Sequence, residues 1–424
     1  MTAPRREASP YNVFALTTIC LGFFLSYADR QILSVVLTPV KHEFALSDTA
    51  LGLIAGLGFG VFYSLLSLPL ARMADRGNRK RILAACIAIW SAATMACGAV
   101  GGALQLVLAR MVVAVGEAGG TPTSISLISD LFARSRGIAI ACYNGAGSLG
   151  AAAVAVVGAW IASEYGWRWA FVAVGAPGIV LALVVAFGLR NPVRGENEGH
   201  ALANEPGLSF WGTVKVILKQ RALVYAMLGG GTSAAVISAT TWLPSFLQRS
   251  HGLSLAQAGG ILGVGLLLSG PFGEIIGGLI NDRLGARDRA AVARALAVVS
   301  LIAIPIGIAL VLVPNIVAAL ALLIAWKVVA TVFVPPTWGL SQELVRPDQR
   351  ATSQALTGIC SNLLGYGLGP AATGWFSELL APSLGSESLR WALVASLVLF
   401  GTLSVFAYLQ GARALGRSAV PATA

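Results

Sequence analysis

Charge is what this sequence has least of. Only 11% of its 424 residues are Asp, Glu, Lys or Arg, against about 25% in a soluble domain, so most of its surface is not built to face water. No charged residue occurs between Arg81 and Arg110, nor between Arg294 and Lys327. Each gap fits about one membrane span of roughly 20 apolar residues plus a turn. Gly98, Gly101 and Gly102 break the first gap, and Pro314-Asn315 breaks the second. Histidine is scarce too: His42, His200 and His251 are all expected in loops, which leaves carboxylates to carry any proton inside the spans. Cys20, Cys86, Cys97, Cys142 and Cys360 have no paired spacing, so they are read as apolar packers rather than disulfide or metal ligands. The sequence holds no nucleotide motif, intramembrane Ser-His pair, paired catalytic carboxylates or metal-ligand cluster. The expectation is a chain that is not an enzyme and takes no cofactor or metal. The first apolar run begins at Val13, contains Asp29 and Arg30, and ends without a small-residue cleavage site, so it is read as a retained helix.

What the sequence has is apolar length: 56% of it is hydrophobic. The runs predict an all-α membrane protein of twelve spans, near 12–39, 47–71, 81–101, 104–131, 137–163, 169–189, 221–247, 254–280, 291–313, 316–342, 350–380 and 388–410. The net charge of +11 is not a nucleic-acid signal, because the basic residues are sorted by loop. Outside the spans, only Lys41, Arg168, Arg249 and Arg390 fall on one side, and every other Lys and Arg falls on the opposite side. By the positive-inside rule the crowded side is cytoplasmic, with both termini on it. Arginine over lysine and richness in Ala and Gly point to a bacterial cytoplasmic (inner) membrane.

The chain repeats itself in three places, in the same order. Asp75-Arg76-Gly77-Asn78-Arg79-Lys80 is echoed by Asp282-Arg283-Leu284-Gly285-Ala286-Arg287. Pro122 followed by Asp130-Leu131-Phe132 is echoed by Pro336 followed by Glu343-Leu344-Val345, and Arg168-Trp169-Ala170 by Arg390-Trp391-Ala392. The offsets of 207, 214 and 222 residues grow slowly, as small loop insertions require. Two six-helix bundles are therefore expected, 1–190 and 221–424, joined by a polar linker over 191–220. Within that linker, Phe210-Trp211 with Val214, Ile217 and Leu218 beside Lys215 and Lys219 predicts a short interfacial helix.

The Asp-Arg-x-x-Arg-Lys loop after the second span, echoed after the eighth, resembles the signature of the major facilitator superfamily. A finer likeness is to its spinster-like branch. It rests on Tyr27-Ala28-Asp29-Arg30, on Ala74-Asp75-Arg76-Gly77-Asn78-Arg79-Lys80, on Arg110 with Val115-Gly116-Glu117-Ala118, and on Gly367-Leu368-Gly369-Pro370. Ala71 departs from the glycine with which the superfamily loop usually starts. The resemblance implies two bundles around a central path, alternating access, and a lipid-like substrate such as a sphingolipid or lysophospholipid. The closest alternative is a carrier of small organic anions or drugs, since the same charges would serve. The expected partners are a small amphipathic or anionic solute, protons and the lipid bilayer, with the chain acting as a monomer and no role for nucleic acid.

Charges deep in the spans are few: Asp29, Arg30, Arg110, Glu117, Glu274 and Lys327. Each costs roughly 2.5–3.5 kcal/mol at mid-bilayer on insertion scales, so each needs a partner or water. Arg110 and Glu117 are two turns apart on one helix face, too far to pair with each other. Their partners must come from another helix, and the resemblance puts the first and fourth spans together. Glu117 is therefore expected to bond Arg30, with Asp29 near Arg110. Asp29 and Glu117 are the candidate proton carriers, and Arg30 and Arg110 the candidate contacts for an anionic headgroup; a static ion network is the competing reading. Lys327, about 17 Å from the outer end of its helix, is either a second cationic contact or the partner of a carboxylate. Tyr27, Trp242, Asn362 and Tyr366 are candidate lining residues, with core packing as their alternative. Asp75, Arg76, Arg79, Asp282, Arg283 and Glu274 are assigned to gating on the cytoplasmic side, where the aspartates can cap or pair across a helix end. The glycines of the fifth span, Gly145, Gly147, Gly150 and Gly158, predict close helix packing.

The topology is directly testable with single cysteines in a background cleared of the native ones. Labels near Asn191 and near the C-terminus are expected to react only from the cytoplasm, and labels near His251 and Ser386 only from outside. Reversed labelling would overturn the orientation.

Overall fold

The computed structural model describes residues 9–132, 135–192, 210–285, 288–346 and 349–418, and every regular element among them is helical. The described residues fall into two compact units: those within 1–44, 62–204 and 255–267, and those within 45–61, 205–254 and 268–424. Among the described residues, eleven stretches are long and apolar enough to cross a membrane. The last, Thr352–Gly416, holds two helices separated at Gly385, which adopts φ 54°, and so brings the count to the expected twelve.

In the first unit, α1 (Pro10–Phe44) packs along α7 (Arg136–Tyr165), and α4 (Arg79–Cys97) lies between α5 (Ala103–Ala118) and α8 (Trp167–Gly188). α6 (Gly120–Leu131) continues the line of α5 after a break at Gly119, and most of α3 (Leu57–Arg76) and of α12 (Leu255–Ser269) completes the unit. The closeness of α1 and α7 has a specific cause. A methyl group on Gly150 would run into the carbonyl of Phe24, and one on Gly147 into Phe23. Gly158 likewise admits Ile32. Gly145, expected to share this role, does not: nothing lies within 4 Å of where its Cβ would be. In lipid no hydrophobic force draws helices together, so backbone approach of this kind supplies the packing energy.

The second unit contains α2 (Asp48–Ala55), α9 (Phe210–Lys219), α10 (Arg221–Ser238), α11 (Leu243–His251) and α13 (Phe272–Gly285). It continues with α14 (Arg289–Leu312), α15 (Ile316–Thr331), α16 (Val334–Glu343), α17 (Arg350–Cys360), α18 (Gly369–Leu384) and α19 (Ser388–Ser418). Between α17 and α18 the chain runs as a π-helix over Ser361–Leu368. Hydroxyl groups tie this unit together across helices: Ser404 meets Ser233 at 2.6 Å and Ser300 at 3.0 Å, Thr337 meets Tyr408 at 2.9 Å, and Thr373 meets Ser396 at 2.8 Å. Helix α2 comes from the first half of the sequence yet packs on α18, because Gly52 and Gly374 let the two backbones meet.

Breaks between helices follow capping chemistry. Asn315 accepts from the backbone N–H groups of Val317 and Ala318 at 2.9 and 3.0 Å and starts α15 just after Pro314. Asn78, Asp288 and Ser47 cap α4, α14 and α2 in the same way. Large apolar side chains such as Phe187, Leu104 and Val317 are more than two-thirds exposed, a surface suited to lipid rather than water.

Two sequence expectations change here. His42 and His251 are not in loops but in the last turns of α1 and α11, where a basic residue suits the helix dipole; His200 lies outside the described residues. Burial, and then the charge of Arg390, hold the His251 imidazole below its ordinary value. The linker 191–220 is described only in part. Its helix α9 is present, with Val214 and Ile217 buried and Trp211 and Leu218 exposed. Ile217 packs against Leu223, Met227 and Val345, so one face of α9 is docked on protein.

The cytoplasmic-loop echo has a structural counterpart. In the first unit Arg79, at the start of α4, is buried and pairs with Asp130 near the end of α6; it also donates to Ser126 Oγ at 3.0 Å and to the Pro192 carbonyl at 2.7 Å. In the second unit Arg289, at the start of α14, pairs at 3.4 Å with Glu343 at the end of α16. Removing one partner of a buried pair leaves an uncompensated charge, typically costing about 3–5 kcal/mol. Asp130→Ala is therefore expected to lower the thermal unfolding midpoint in detergent far more than Glu343→Ala, whose pair is exposed. Equal losses would show that burial of Arg79 is not what makes its pair matter.

Candidate functional site

The first unit gathers four of the deep charges into one cluster. Arg30 Nε lies 2.5 Å from Glu117 Oε2, and Arg110 Nη1 lies 3.4 Å from both oxygens of Asp29. These are the pairings expected from the two-turn spacing of Arg110 and Glu117. The neutral partners were not read from sequence: Ser26 Oγ donates to Glu117 Oε2 at 3.0 Å, and Thr94 Oγ1 to Asp29 Oδ1 at 2.7 Å. Ser26 is three residues before Asp29 and one turn before Arg30, a position that places it on the same helix face. The guanidinium carbon of Arg30 stands 4.8 Å from the ring centre of Tyr63 and 5.4 Å from that of Tyr27, a cation–π pairing strengthened by low dielectric.

Two acids and two bases make the cluster neutral as a whole. Asp29, Arg110 and Glu117 are almost wholly buried, while a quarter of the Arg30 side chain is exposed. Glu117 is asymmetric. Its Oε2 holds Arg30 and Ser26, while its Oε1 is buried with no hydrogen-bond partner among the described residues. A buried carboxylate oxygen without a donor is more costly when charged than when it carries a proton.

In the second unit, Glu274 of α13 is the charged neighbour of Lys327 of α15. The two helices approach where Gly273 lies against Val328 and Thr331, one residue from Glu274 and one from Lys327. The sequence left Lys327 between a substrate contact and a carboxylate partner, and it placed Glu274 with the gate. Glu274 is near enough to influence the charge of Lys327, while no ion pair within 4 Å joins the two among the described residues.

The remaining candidates are spread out. Trp242 is fully buried, and its indole N–H donates to the Pro370 carbonyl at 3.0 Å. Asn362 donates back to the Gly358 carbonyl at 2.9 Å, and Tyr366, 45% exposed, sits on the same π-helix. Asp282 and Arg283 are exposed in the last turn of α13. Asp75 and Arg76 end α3, and their side chains lie outside the described residues. Among the described residues no group of three or more His, Cys, Asp or Glu is placed to hold a metal ion.

One tie was not anticipated. Asp48, at the start of α2, receives both terminal nitrogens of Arg249 at 2.7 and 2.8 Å and the hydroxyl of Ser377 at 2.7 Å. Next to it, Thr49 donates to Glu378. On the same helix line, Gly52, Gly56 and Gly60 let the backbone rest on Pro370, on Gly367 and on Asn362. A glycine at every fourth position was the available signal for this seat.

Apolar spans, neutralised charges at depth and helix contacts built on glycine define a multi-pass membrane transporter. A family model for the Major Facilitator Superfamily matches residues 19–370, and the chain belongs to that superfamily. It is 32% identical over 407 residues to a Mycolicibacterium smegmatis protein described as an MFS-type efflux pump, covering 94% of this chain and 92% of that one. It is 29% identical over 393 residues to spinster homolog 3 of Danio rerio, covering 87% and 78%. A crystal structure of a bacterial homologue of the human lysosomal transporter Spinster, inward-facing and unoccupied, matches with TM-score 0.86 and 28% identity over 98% of this chain and 100% of that one. The likeness to the spinster-like branch therefore extends from short motifs to the fold.

The nearness of Glu274 to Lys327 has a measurable consequence if the two neutralise each other. Glu274→Gln or Lys327→Met alone strands a charge at depth, at a cost of about 2.5–3.5 kcal/mol. The double variant strands none, so it is expected to recover most of the unfolding midpoint lost by either single change. Additive losses would mean that the two charges are not partners.

Proposed function

We propose that the protein is a proton-coupled secondary transporter working by alternating access, and that its substrate is an amphipathic anion. The observation that carries this reading is the neutral four-charge cluster in which one oxygen of Glu117 lacks a donor. A proton on Glu117 removes the buried charge and releases Arg30 from its counter-ion. A freed Arg30, one quarter exposed and flanked by Tyr27 and Tyr63, then suits an anionic headgroup joined to an apolar body. In this reading Asp29 and Glu117 exchange the proton. Arg30, Arg110 and Lys327 meet the anion, Glu274 offsets the charge of Lys327 between turnovers, and Tyr27, Asn362 and Tyr366 contribute to lining. Trp242 contributes through packing.

The lipid-like choice of substrate, a sphingolipid or lysophospholipid, rests on resemblance to proteins named spinster. A small organic anion or drug is the second reading. It is favoured by the relative named as an efflux pump, and by 29% identity over 284 residues to a probable L-galactonate transporter of Escherichia coli. Asp75, Arg76, Arg79, Asp282 and Arg283 act on the cytoplasmic side as gating charges. The working unit is a monomer in a bacterial cytoplasmic membrane with both termini inside.

Proteoliposomes with an imposed pH gradient test both choices, with a lysophospholipid and a small organic acid offered separately. Glu117→Gln, which keeps shape but not titration, is expected to abolish gradient-driven uptake while substrate exchange at equal pH survives. Arg110→Ala is expected to weaken substrate binding about 10- to 150-fold, the equivalent of one buried charge-assisted hydrogen bond. If both Glu117→Gln and Asp29→Asn couple normally, the cluster is structural and the carrier is not proton-driven. Transport of the small acid alone would select the second substrate reading.

A further inference from the structure

Glu117, one of whose oxygens has no hydrogen-bond partner among the described residues, borders a small space. Inside the first unit a cavity is lined by α1, α4, α5, α6 and α7, with Glu117, Ser26, Thr121, Ser124, Tyr143 and Trp90 on its walls. It has room for about one water molecule. The hydroxyl of Tyr143 is within hydrogen-bonding reach of Thr121 and Ser124, and Tyr143 and Ser124 are both almost wholly buried. A carboxylate oxygen and several hydroxyls around one water-sized space supply the two to four polar partners that a buried water needs.

We propose that this cavity is a resident water site through which the proton reaches Glu117. The water donates one hydrogen to Glu117 Oε1 and another to the hydroxyls of Ser124 or Tyr143. An incoming proton makes it a hydronium. One O–H bond of the hydronium breaks as the O–H bond of the Glu117 carboxylic acid forms, which leaves neutral water and a neutral acid. The arginine on Oε2 then loses its counter-ion without having moved. The two oxygens of one residue thus divide the work, with Oε1 answering to the proton and Oε2 to Arg30.

The charged and titratable groups around Glu117 are Asp29 and Arg30 on α1, Arg110 on α5, Tyr63 on α3 and Tyr143 on α7; α4 presents Trp90 and Ile87, and α6 presents hydroxyls. That setting favours water over a metal cation. A cation at Oε1 would set a second positive charge beside Arg30 on a single carboxylate, among the apolar walls of Ile87 and Trp90, whereas a water adds no charge.

The proposal deepens the proton-coupling reading and rests on it for its purpose, but the site can be tested without transport. Infrared difference spectra of the full chain in lipid nanodiscs, taken between high and low pH in H2O and D2O, report the carboxylic acid of Glu117. Its band is assigned by its loss in Glu117→Gln. Thr121→Val with Ser124→Ala removes two wall hydroxyls and leaves Glu117, Arg30 and Ser26 in place. The band is expected to shift in that double variant, and its hydrogen–deuterium exchange to slow about tenfold, the scale of one lost hydrogen bond. Thr121→Ser with Ser124 intact is expected to behave as the parent, which separates loss of a hydroxyl from general disturbance of α6. An unchanged band and exchange rate in the double variant would overturn the water site. So would a band that moves with sodium at constant pH, or the absence of any Glu117 acid band. If the band behaves as expected but no pH gradient drives uptake, the water site stands and the proton-coupled reading fails.

Discussion

A charge in the hydrocarbon of a membrane must be neutralised by protein, and the interior of this molecule is organised around that requirement. The deep charges described in the first unit form two pairs, Arg30 with Glu117 and Arg110 with Asp29. Those in the second unit are neighbours of opposite sign, Glu274 and Lys327. Neutrality held by pairing is also breakable, because adding one proton or one anion changes which partner is needed. Apolar side chains of the same volume would make more stable bundles, so retaining these charges suits movement better than rigidity.

The helices themselves are held by backbone proximity. Gly147 and Gly150 seat α7 on α1, while Gly52, Gly56 and Gly60 seat the beginning of the second span in the second unit. At its start the same helix is fastened by Asp48, which Arg249 grips with two nitrogens. Bidentate geometry gives a contact direction as well as strength. The segment 45–61 is therefore held by polar anchors at Asp48 and Thr49 and by a glycine face beyond them.

Long apolar runs and sorted arginines made the number of spans legible, because lipid demands both. The pairs of the first unit were legible for a similar reason: seven residues on a helix fix a common face, and the family resemblance supplied the facing helix. Partners far apart in sequence were not legible. Asp130 is the ion-pair partner of Arg79, while attention fell on Asp75, which is closer in sequence. Asp130 is echoed by Glu343, and only the structure shows that each faces an arginine at the start of another helix, Arg79 and Arg289. Glu274 was placed by its distance from Asp282 along one helix, a measure blind to the neighbouring helix that carries Lys327. Gly145 was misread because glycine spacing alone does not say which members face a neighbour. The tie of Asp48 to Arg249 spans 201 residues and has no local signature.

The π-helix over Ser361–Leu368 had no sequence signature either, and it changes how the eleventh span must be viewed. Its turns are wider than those of the α-helices on each side, so α17 and α18 are joined out of phase, with surplus backbone held between them. Such a surplus can migrate along a helix by exchanging one hydrogen bond for the next, without unfolding the rest. Each step would turn the side chains it passes, Asn362 and Tyr366 among them, relative to the fixed ends. Asn362 and Tyr366 sit on those wider turns, so neither follows the α-helical phase of α17 or of α18.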